Sequence, residues 1–379
     1  MLAPIRVLQV FAEMNRGGAE TMIMNLYRNI NRSKVQFDFI VHTEDKCDYD
    51  DEIKLLGGKV YRMPQYKGKN HVQYKRSWKN FLTQYPEYKI IHGHVRSTAA
   101  IYLGIAKKHG LTTIAHSHNT SSGTGFSAFV KNVMQFPIRL TADYLFSCSK
   151  KAGIWLYGKR ACTGDNFYIL NNAIETKKFI YNQETRLQKR KELHLEDKFV
   201  IGHIGRFHPQ KNHDFIIEIF KEVYDRKKDV VLLLIGDGML RQSIEKKVND
   251  LSLSQNVIFT GVIPDIPELL QAMDIFLFPS LYEGLPVTLV EAQASGLKIL
   301  ASDTITQEVS FTSSLEYFSL NASTSDWAKS ILRSSEGYKR GNMLFNIKKA
   351  KYDVVDSSVW LENFYIKTSN TNNKGVNNG

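Results

Sequence analysis

Two carboxylates and two cations carry most of the chemistry this sequence can offer. Glu283 and Glu291 stand in the run Ser280-Leu281-Tyr282-Glu283-Gly284-Leu285-Pro286-Val287-Thr288-Leu289-Val290-Glu291-Ala292. A carboxylate accepts hydrogen bonds from vicinal hydroxyls, so the pair suits two parts of one polyhydroxyl ligand. Pro286 fits a first helical turn, where its missing N–H costs nothing. The amides around Val287 and Thr288 then point outwards and can hold a phosphate. Upstream, Gly205-Arg206-Phe207-His208-Pro209-Gln210-Lys211-Asn212 puts an arginine and a lysine in one loop. The arginine fork and the lysine point charge together suit a diphosphate. The bland alternatives are a basic surface loop, a turn glutamate and a helix-end glutamate.

Gly236-Asp237-Gly238 follows an apolar run and would let a base or ribose approach the backbone. A tight strand-to-helix turn would use the same glycines. The Gly205 loop matches neither GxGxxG nor GxxxxGK[ST], so it argues against the two commonest nucleotide-binding classes.

These residues need a scaffold. Short apolar runs at Ile5–Phe11, Val35–Val41, Lys59–Tyr61, Ile90–His92, Thr112–His116, Tyr144–Cys148 and Phe167–Leu170 read as strands. Helical spacing separates several of them, at Thr21–Ile30, Ala99–His109 and Lys150–Tyr157. A second series places strands at Phe199–Ile204, Val230–Ile235, Val257–Thr260, Ile275–Phe278 and Lys298–Ala301. Its helices run from His213 through Tyr224, then Leu240–Leu251, Ile266–Ala272 and Val287–Ser295. Such alternation predicts an α/β chain with two parallel, Rossmann-like sheets. Residues 1–172 form the first expected domain and 173–353 the second. A helix at about 354–367 should pack back on the first, and 368–379 should be a flexible tail. In both series, ligands belong at the strand carboxyl ends.

The 379 residues suffice for two substantial cores, and 43% apolar content argues for a globular chain. Cys47, Cys148 and Cys162 form no CxxC or CxxH pair, which excludes a disulfide framework and suggests no zinc site. A reducing cytoplasm fits. No apolar run is long enough to span a membrane, and Met1–Val10 reads as a buried first strand rather than a signal peptide.

The net charge of +12 is uneven. Residues 66–142 hold 11 Lys or Arg against a single acid, Glu87, interleaved with aromatics such as Tyr66, Trp78, Phe126, Phe129 and Phe136. That field attracts anions. No nucleic-acid reader motif accompanies it. A solvated basic face is the plain reading, and an anionic membrane surface the functional one, with Gly123–Phe136 as a mobile acceptor-side element.

The pattern resembles the retaining glycosyltransferases of family four, which have the two-Rossmann-domain GT-B fold with the domains facing across a cleft. The glutamate–seven residues–glutamate motif is filled by Glu283 and Glu291, and Arg-Phe-x-x-x-Lys-Asn by Arg206-Phe207 and Lys211-Asn212. The segment usually written Asn-Gly-hydrophobic-Asp reads Asn172-Ala173-Ile174-Glu175, a departure at the glycine. The resemblance is to bacterial exopolysaccharide and capsule transferases in particular.

That resemblance implies roles. Gly17 and Gly18 would lie close to the donor diphosphate, which Arg206 and Lys211 would bind. Glu283 would hold hydroxyls of the transferred sugar, Glu291 the ribose, and Val262 would lie near the base. His118 would be the histidine at the donor sugar and acceptor face, with His116 as its alternative. The donor would be a nucleotide sugar, by preference a UDP-sugar, with no metal and no tightly bound cofactor required. The acceptor would be a lipid-linked oligosaccharide at the inner face of the cytoplasmic membrane, to which the protein attaches peripherally. A non-hydrolysing UDP-sugar epimerase is the rival of similar fold. Oligomeric state stays open.

Overall fold

A computed structural model describes residues 3–120, 126–334, 336 and 338–375. The chain divides into two compact units, one running to Ile174 and resuming at Lys351, the other spanning Glu175–Ala350.

The first unit is built on β1 (Ile5–Phe11), β2 (Val35–Val41), β3 (Val60–Arg62), β4 (Ile90–Gly93), β5 (Thr112–Ser117), β6 (Tyr144–Ser147) and β7 (Phe167–Ile169). Their order across the sheet is β3-β2-β1-β4-β5-β6-β7, and the ladders are parallel. Every residue of β2 is buried, as a strand covered on both faces requires. Its one acid, Asp38, is held by the Arg6 guanidinium and the Tyr88 hydroxyl.

The second unit contains β8 (Phe199–Ile204), β9 (Val230–Ile235), β10 (Val257–Gly261), β11 (Ile275–Phe278), β12 (Lys298–Ser302) and β13 (Leu315–Phe318), ordered β10-β9-β8-β11-β12-β13. β9 is apolar and buried throughout. In each unit the order reverses beside the first strand, between β1 and β4 and between β8 and β11. Crevices open outside the carboxyl ends at such reversals, which is where open α/β sheets bind ligands.

The helix Val354–Gly375 belongs to the first unit. Ile174 and Asp353 form a parallel bridge, and the Val354 amide donates to the Ile174 carbonyl at 3.0 Å. Leu361 and Tyr365 are buried against the first core, and Glu362 pairs with Lys34 at 2.9 Å. The helix also takes in the first part of the segment expected as a tail, up to Gly375. Within it Thr368 and Ser369 are buried, and the Thr368 hydroxyl bonds back to the Phe364 carbonyl at 2.7 Å.

The basic, aromatic segment contains a helix, His71–Gln84, whose Tyr74, Trp78, Phe81 and Leu82 face inwards. Trp78 stacks on Tyr102 with centroids 5.1 Å apart and is fully buried, so it is core and not an interfacial anchor. Tyr66 is half-buried against Tyr74. Phe136 is 58% exposed, with the Arg139 guanidinium 3.8 Å from its ring centroid. The side chains of Phe126 and Phe129, and residues 121–125 of the proposed mobile element, lie outside the described residues.

Candidate active site

The two loops at the β8–β11 reversal are tied together. The Leu281 amide donates to the Gln210 carbonyl at 2.8 Å, and Asn212 Nδ2 donates to the Pro279 carbonyl at 3.2 Å. Asn212 adopts φ 58°, a left-handed conformation that asparagine tolerates better than most residues. This linkage delivers Lys211 to Glu283. Lys211 Nζ lies 2.6 Å from Glu283 Oε1, and Gln210 Nε2 donates to Glu283 Oε2 at 3.0 Å. The glutamate side chain is 9% exposed and the lysine 16%. A carboxylate this buried needs both partners. Lys211 Nζ also sits 4.8 Å from the centre of the Phe278 ring.

Arg206 is exposed, and no ion pair or hydrogen bond holds its guanidinium among the described residues. It is a free cation at the end of β8.

Gly236 and Gly238 have φ of 135° and 157°. A Cβ on Gly236 would lie 2.2 Å from the Gly205 carbonyl oxygen, and one on Gly238 would lie 2.6 Å from the Phe207 carbonyl oxygen. The glycines are therefore required by the neighbouring loop backbone. The Phe207 amide donates to the Asp237 carbonyl at 3.0 Å, which fixes the Arg206 loop from below. Val262 is 81% exposed, just past Gly261, whose carbonyl accepts from the Gly236 amide.

Pro286 caps the helix Val287–Ala294, with no side-chain cap on the first amides. The Thr288 hydroxyl is buried there without a hydrogen-bond partner among the described residues. Its oxygen is an unfilled polar group beside an outward-facing helix start, an arrangement that suits an anion. Glu291, one turn on, is half-buried, and burial pushes its carboxyl up to about 8.

The first unit builds a different site at its reversal. Gly17 precedes the helix Gly18–Asn29, and the space around Gly18 is open. At the carboxyl ends of β4 and β5, four histidines gather. His94 Nδ1 lies 2.8 Å from His118 Nε2, and His92 Nε2 lies 3.1 Å from His116 Nδ1. His116 and His118 stack at 4.1 Å, and His94 stacks on Phe11 at 4.1 Å. Burial holds His92 and His118 down to about 3 and puts His94 and His116 well below the usual imidazole range, with neighbouring cations and imidazoles adding to the effect. All four are neutral bases at physiological pH. His92, His94 and His116 each bring one ring nitrogen within 4.8 Å of the others, the one such group among the described residues. Those nitrogens already serve one another and their neighbours.

A family model for glycosyl transferases group 1 matches residues 184–333, and one for Glycosyltransferase Family 4 matches residues 16–178. The chain is 36% identical to the putative glycosyltransferase EpsF of Bacillus subtilis over 378 residues, covering 97% of this chain and 98% of that one. The Anabaena protein HepE, solved in complex with UDP, superposes with a TM-score of 0.71 at 15% identity, over 98% of this chain and 99% of that one. The chain belongs to the GT-B glycosyltransferases. A shorter match, 26% identical over 234 residues and 59% of each chain, is to the Escherichia coli UDP-Gal:alpha-D-GlcNAc-diphosphoundecaprenol alpha-1,3-galactosyltransferase.

In this glycosyltransferase the fold brings Lys211 and Glu283 into contact and seats Gly236 and Gly238 against the Arg206 loop. Glu291, Val287 and Thr288 share one helix. Gly17, Gly18 and His118 belong to the other unit. Sequence reasoning missed Gln210, which shares Glu283 with Lys211. It also missed His92, His94, Gln9 and Tyr365. The histidines had a signal: His92-Gly93-His94 and His116-Ser117-His118 each place two imidazoles at alternate positions, at the ends of strands that prove adjacent. Alternate positions on a strand share a face.

Proposed function

We propose that this glycosyltransferase is a retaining enzyme of family four that moves a hexose or N-acetylhexosamine from a UDP-sugar to a lipid-linked saccharide in exopolysaccharide, capsule or O-antigen synthesis. The observation that carries the donor half is the Lys211–Glu283 pair at the β8–β11 reversal, with Gln210 on the second carboxylate oxygen. A diphosphate entering beside Arg206 competes with Glu283 for the Lys211 ammonium. Glu283, released, then accepts hydrogen bonds from sugar hydroxyls. The first amides of the Val287–Ala294 helix and the Thr288 hydroxyl take a phosphate oxygen, and Glu291 meets the ribose. Gly236, Gly238 and exposed Val262 border the base side.

The bond from the anomeric carbon to the phosphate oxygen breaks, and the acceptor oxygen bonds to the same face. The leaving diphosphate takes the acceptor proton. Arg206 and Lys211 stabilise the charge growing on it, which is the kind of pre-set electrostatic effect that dominates many enzyme rate enhancements. The first unit's part in this reading is Gly17 and Gly18 for the diphosphate, with open space around Gly18, and His118, a neutral ring, for the sugar and acceptor. UDP in the HepE structure supports the nucleotide, and the E. coli galactosyltransferase, whose name specifies a diphosphoundecaprenol-linked acceptor, supports the lipid-linked class.

No described helix is long and apolar enough to cross a membrane. Peripheral attachment to the inner leaflet is proposed from exposed Lys67, Lys69, Lys75, Arg76 and Lys79, and from exposed Val130, Val133, Phe136 and Leu140. Each basic side chain near an anionic surface contributes about 1 kcal/mol, screened by salt. Radiolabelled UDP-sugars incubated with a polyprenyl-diphosphate saccharide test the reading. An α-linked product from an α-linked donor supports it. Turnover confined to free sugar nucleotide with no acceptor product would overturn it. For the membrane part, vesicle co-sedimentation of Lys75, Arg76 and Lys79 replaced together should fall, and undiminished binding in high salt would refute the electrostatic attachment.

A further inference from the structure

The four imidazoles are not an isolated cluster. His94 Nε2 lies 2.9 Å from Gln9 Oε1, Gln9 Nε2 donates to the Tyr365 hydroxyl at 3.2 Å, and that hydroxyl lies 2.6 Å from His92 Nδ1. One chain of hydrogen bonds thus runs His118–His94–Gln9–Tyr365–His92–His116. Gln9 and Tyr365 are both fully buried at its centre. Both ends are unpaired: His118 Nδ1 and His116 Nε2 are buried and have no partner among the described residues.

The donor sense of the whole chain follows from one amide. Gln9 Oε1 can only accept, so His94 Nε2 carries a proton and His94 Nδ1, in a neutral ring, must accept. His118 Nε2 then donates to it, which leaves His118 Nδ1 as a lone pair. In the other direction, Gln9 donates to the Tyr365 oxygen, so the Tyr365 proton goes to His92 Nδ1. His92 Nε2 donates to His116 Nδ1, and His116 Nε2 keeps a proton with nowhere to go. Turning the Gln9 amide over would reverse every member at once.

We propose that Gln9 and Tyr365 are positioning residues for the transfer reaction, which set all four imidazoles to the Nε2-protonated tautomer and thereby present a bare acceptor on His118 and a free donor on His116. With His118 read as the acceptor-face histidine proposed above, its Nδ1 receives a hydrogen bond from a substrate hydroxyl while His116 Nε2–H meets a neighbouring oxygen. The helix Val354–Gly375 acquires a function beyond covering the core, because it alone supplies the Tyr365 hydroxyl. Which ring nitrogen is exposed decides whether a histidine orients a hydroxyl by accepting or by donating.

Long-range proton–nitrogen NMR spectra of the full chain, labelled with nitrogen-15 histidine at neutral pH, read the tautomers directly. The expected result is a pyridine-type Nδ1 and a pyrrole-type Nε2 for His92, His94, His116 and His118. Gln9→Met, which removes the group that sets the sense of both arms, should shift all four rings towards a mixture. Tyr365→Phe should shift only His92 and His116, and the unmoved His94 and His118 show that the sheet is intact. Gln9→Met should also lower kcat about tenfold with donor KM unchanged, less than the ~10²–10⁴ lost with a general acid or base itself. An Nδ1-protonated ring among the four, or variants that move neither pair, overturns the proposal. Correct tautomers together with undiminished turnover in His118→Gln would instead remove His118 from the reaction and reduce the chain to a structural one.

Discussion

The two units use one topology to build opposite electrostatics at the same place. Both sheets reverse beside their first strand, and both set polar side chains at the carboxyl ends there. In the second unit those side chains are ions: Arg206 free, Lys211 paired to Glu283. In the first they are four neutral imidazoles that burial keeps from charging. The ion pair tolerates its burial because each charge meets the other. The histidines tolerate theirs by giving up charge altogether. The difference teaches what a Rossmann-like reversal specifies. It fixes where a ligand goes and leaves its chemistry to a few residues, so that one end can hold an anion and the other can sort neutral hydroxyls.

The comparison breaks most visibly at the charged end. Lys211→Ala should cut turnover by about 10²–10³, the range seen when a group stabilising transition-state charge is lost, and should weaken UDP binding in titration calorimetry. Glu283→Gln should cut turnover comparably but bind UDP at least as well as the parent, since the ammonium has lost its competitor. Equal losses of UDP affinity in the two variants would mean that the pair is a structural bridge and not a donor-exchangeable one.

Acid should separate the units next. His42, His92, His94, His116 and His118 in the first unit all have lowered pKa values, against His203 and His213 in the second. A group whose folded pKa is depressed below the unfolded value of about 6.5 contributes full stability above that value and loses it as pH falls. For His92 and His118 the window runs from about 6.5 down to about 3. Hydrogen exchange, corrected for its intrinsic pH dependence, should therefore show the first sheet losing protection before the second between neutrality and pH about 4. Earlier opening of the second sheet would contradict the contrast.

Much of this was legible in the chain itself. Apolar runs located β1, β2, β8, β9 and β11 to the residue, because strands buried on both faces leave little else to choose. β3 was displaced by one residue, and β13, a short edge strand reading Leu-Glu-Tyr-Phe, went unseen. The helix His71–Gln84 was hidden by its own polarity. Tyr74, Trp78 and Phe81 recur at helical spacing, but the lysines and arginine between them made the stretch look like a surface. Lys211 and Glu283 were legible as types, and their contact was not, since it depends on two loops linked through the Gln210 carbonyl. Least legible was the Gln9–Tyr365 bond, whose partners stand 356 residues apart. Only the return of the last helix to the first sheet brings them together.

Glu291 sharpens the comparison from the other side, because it is an acid of the charged end whose own charge is suppressed. Its carboxyl titrates at about 8 in the free protein, so it is mostly protonated at neutral pH. Its folded pKa is raised, so the folded state holds a proton that the unfolded chain has released above about 4.3. Stability therefore falls as pH climbs from there through about 8, the reverse of the histidine effect. Ribose hydroxyls that donate to the carboxylate favour the ionised form. Binding then draws the pKa down and releases a proton, and UDP affinity should rise with pH up to about 8 and flatten above it. The rise is bounded at about tenfold per pH unit, because a single proton is involved. Calorimetry in buffers of different ionisation enthalpy counts that proton. Glu291→Gln should bind UDP with no proton release from this site and should be stabilised relative to the parent above pH 8. A parent protein that takes up a proton on binding UDP near neutrality would show that the ribose prefers the neutral acid, and Glu291 would join the uncharged logic of the first unit.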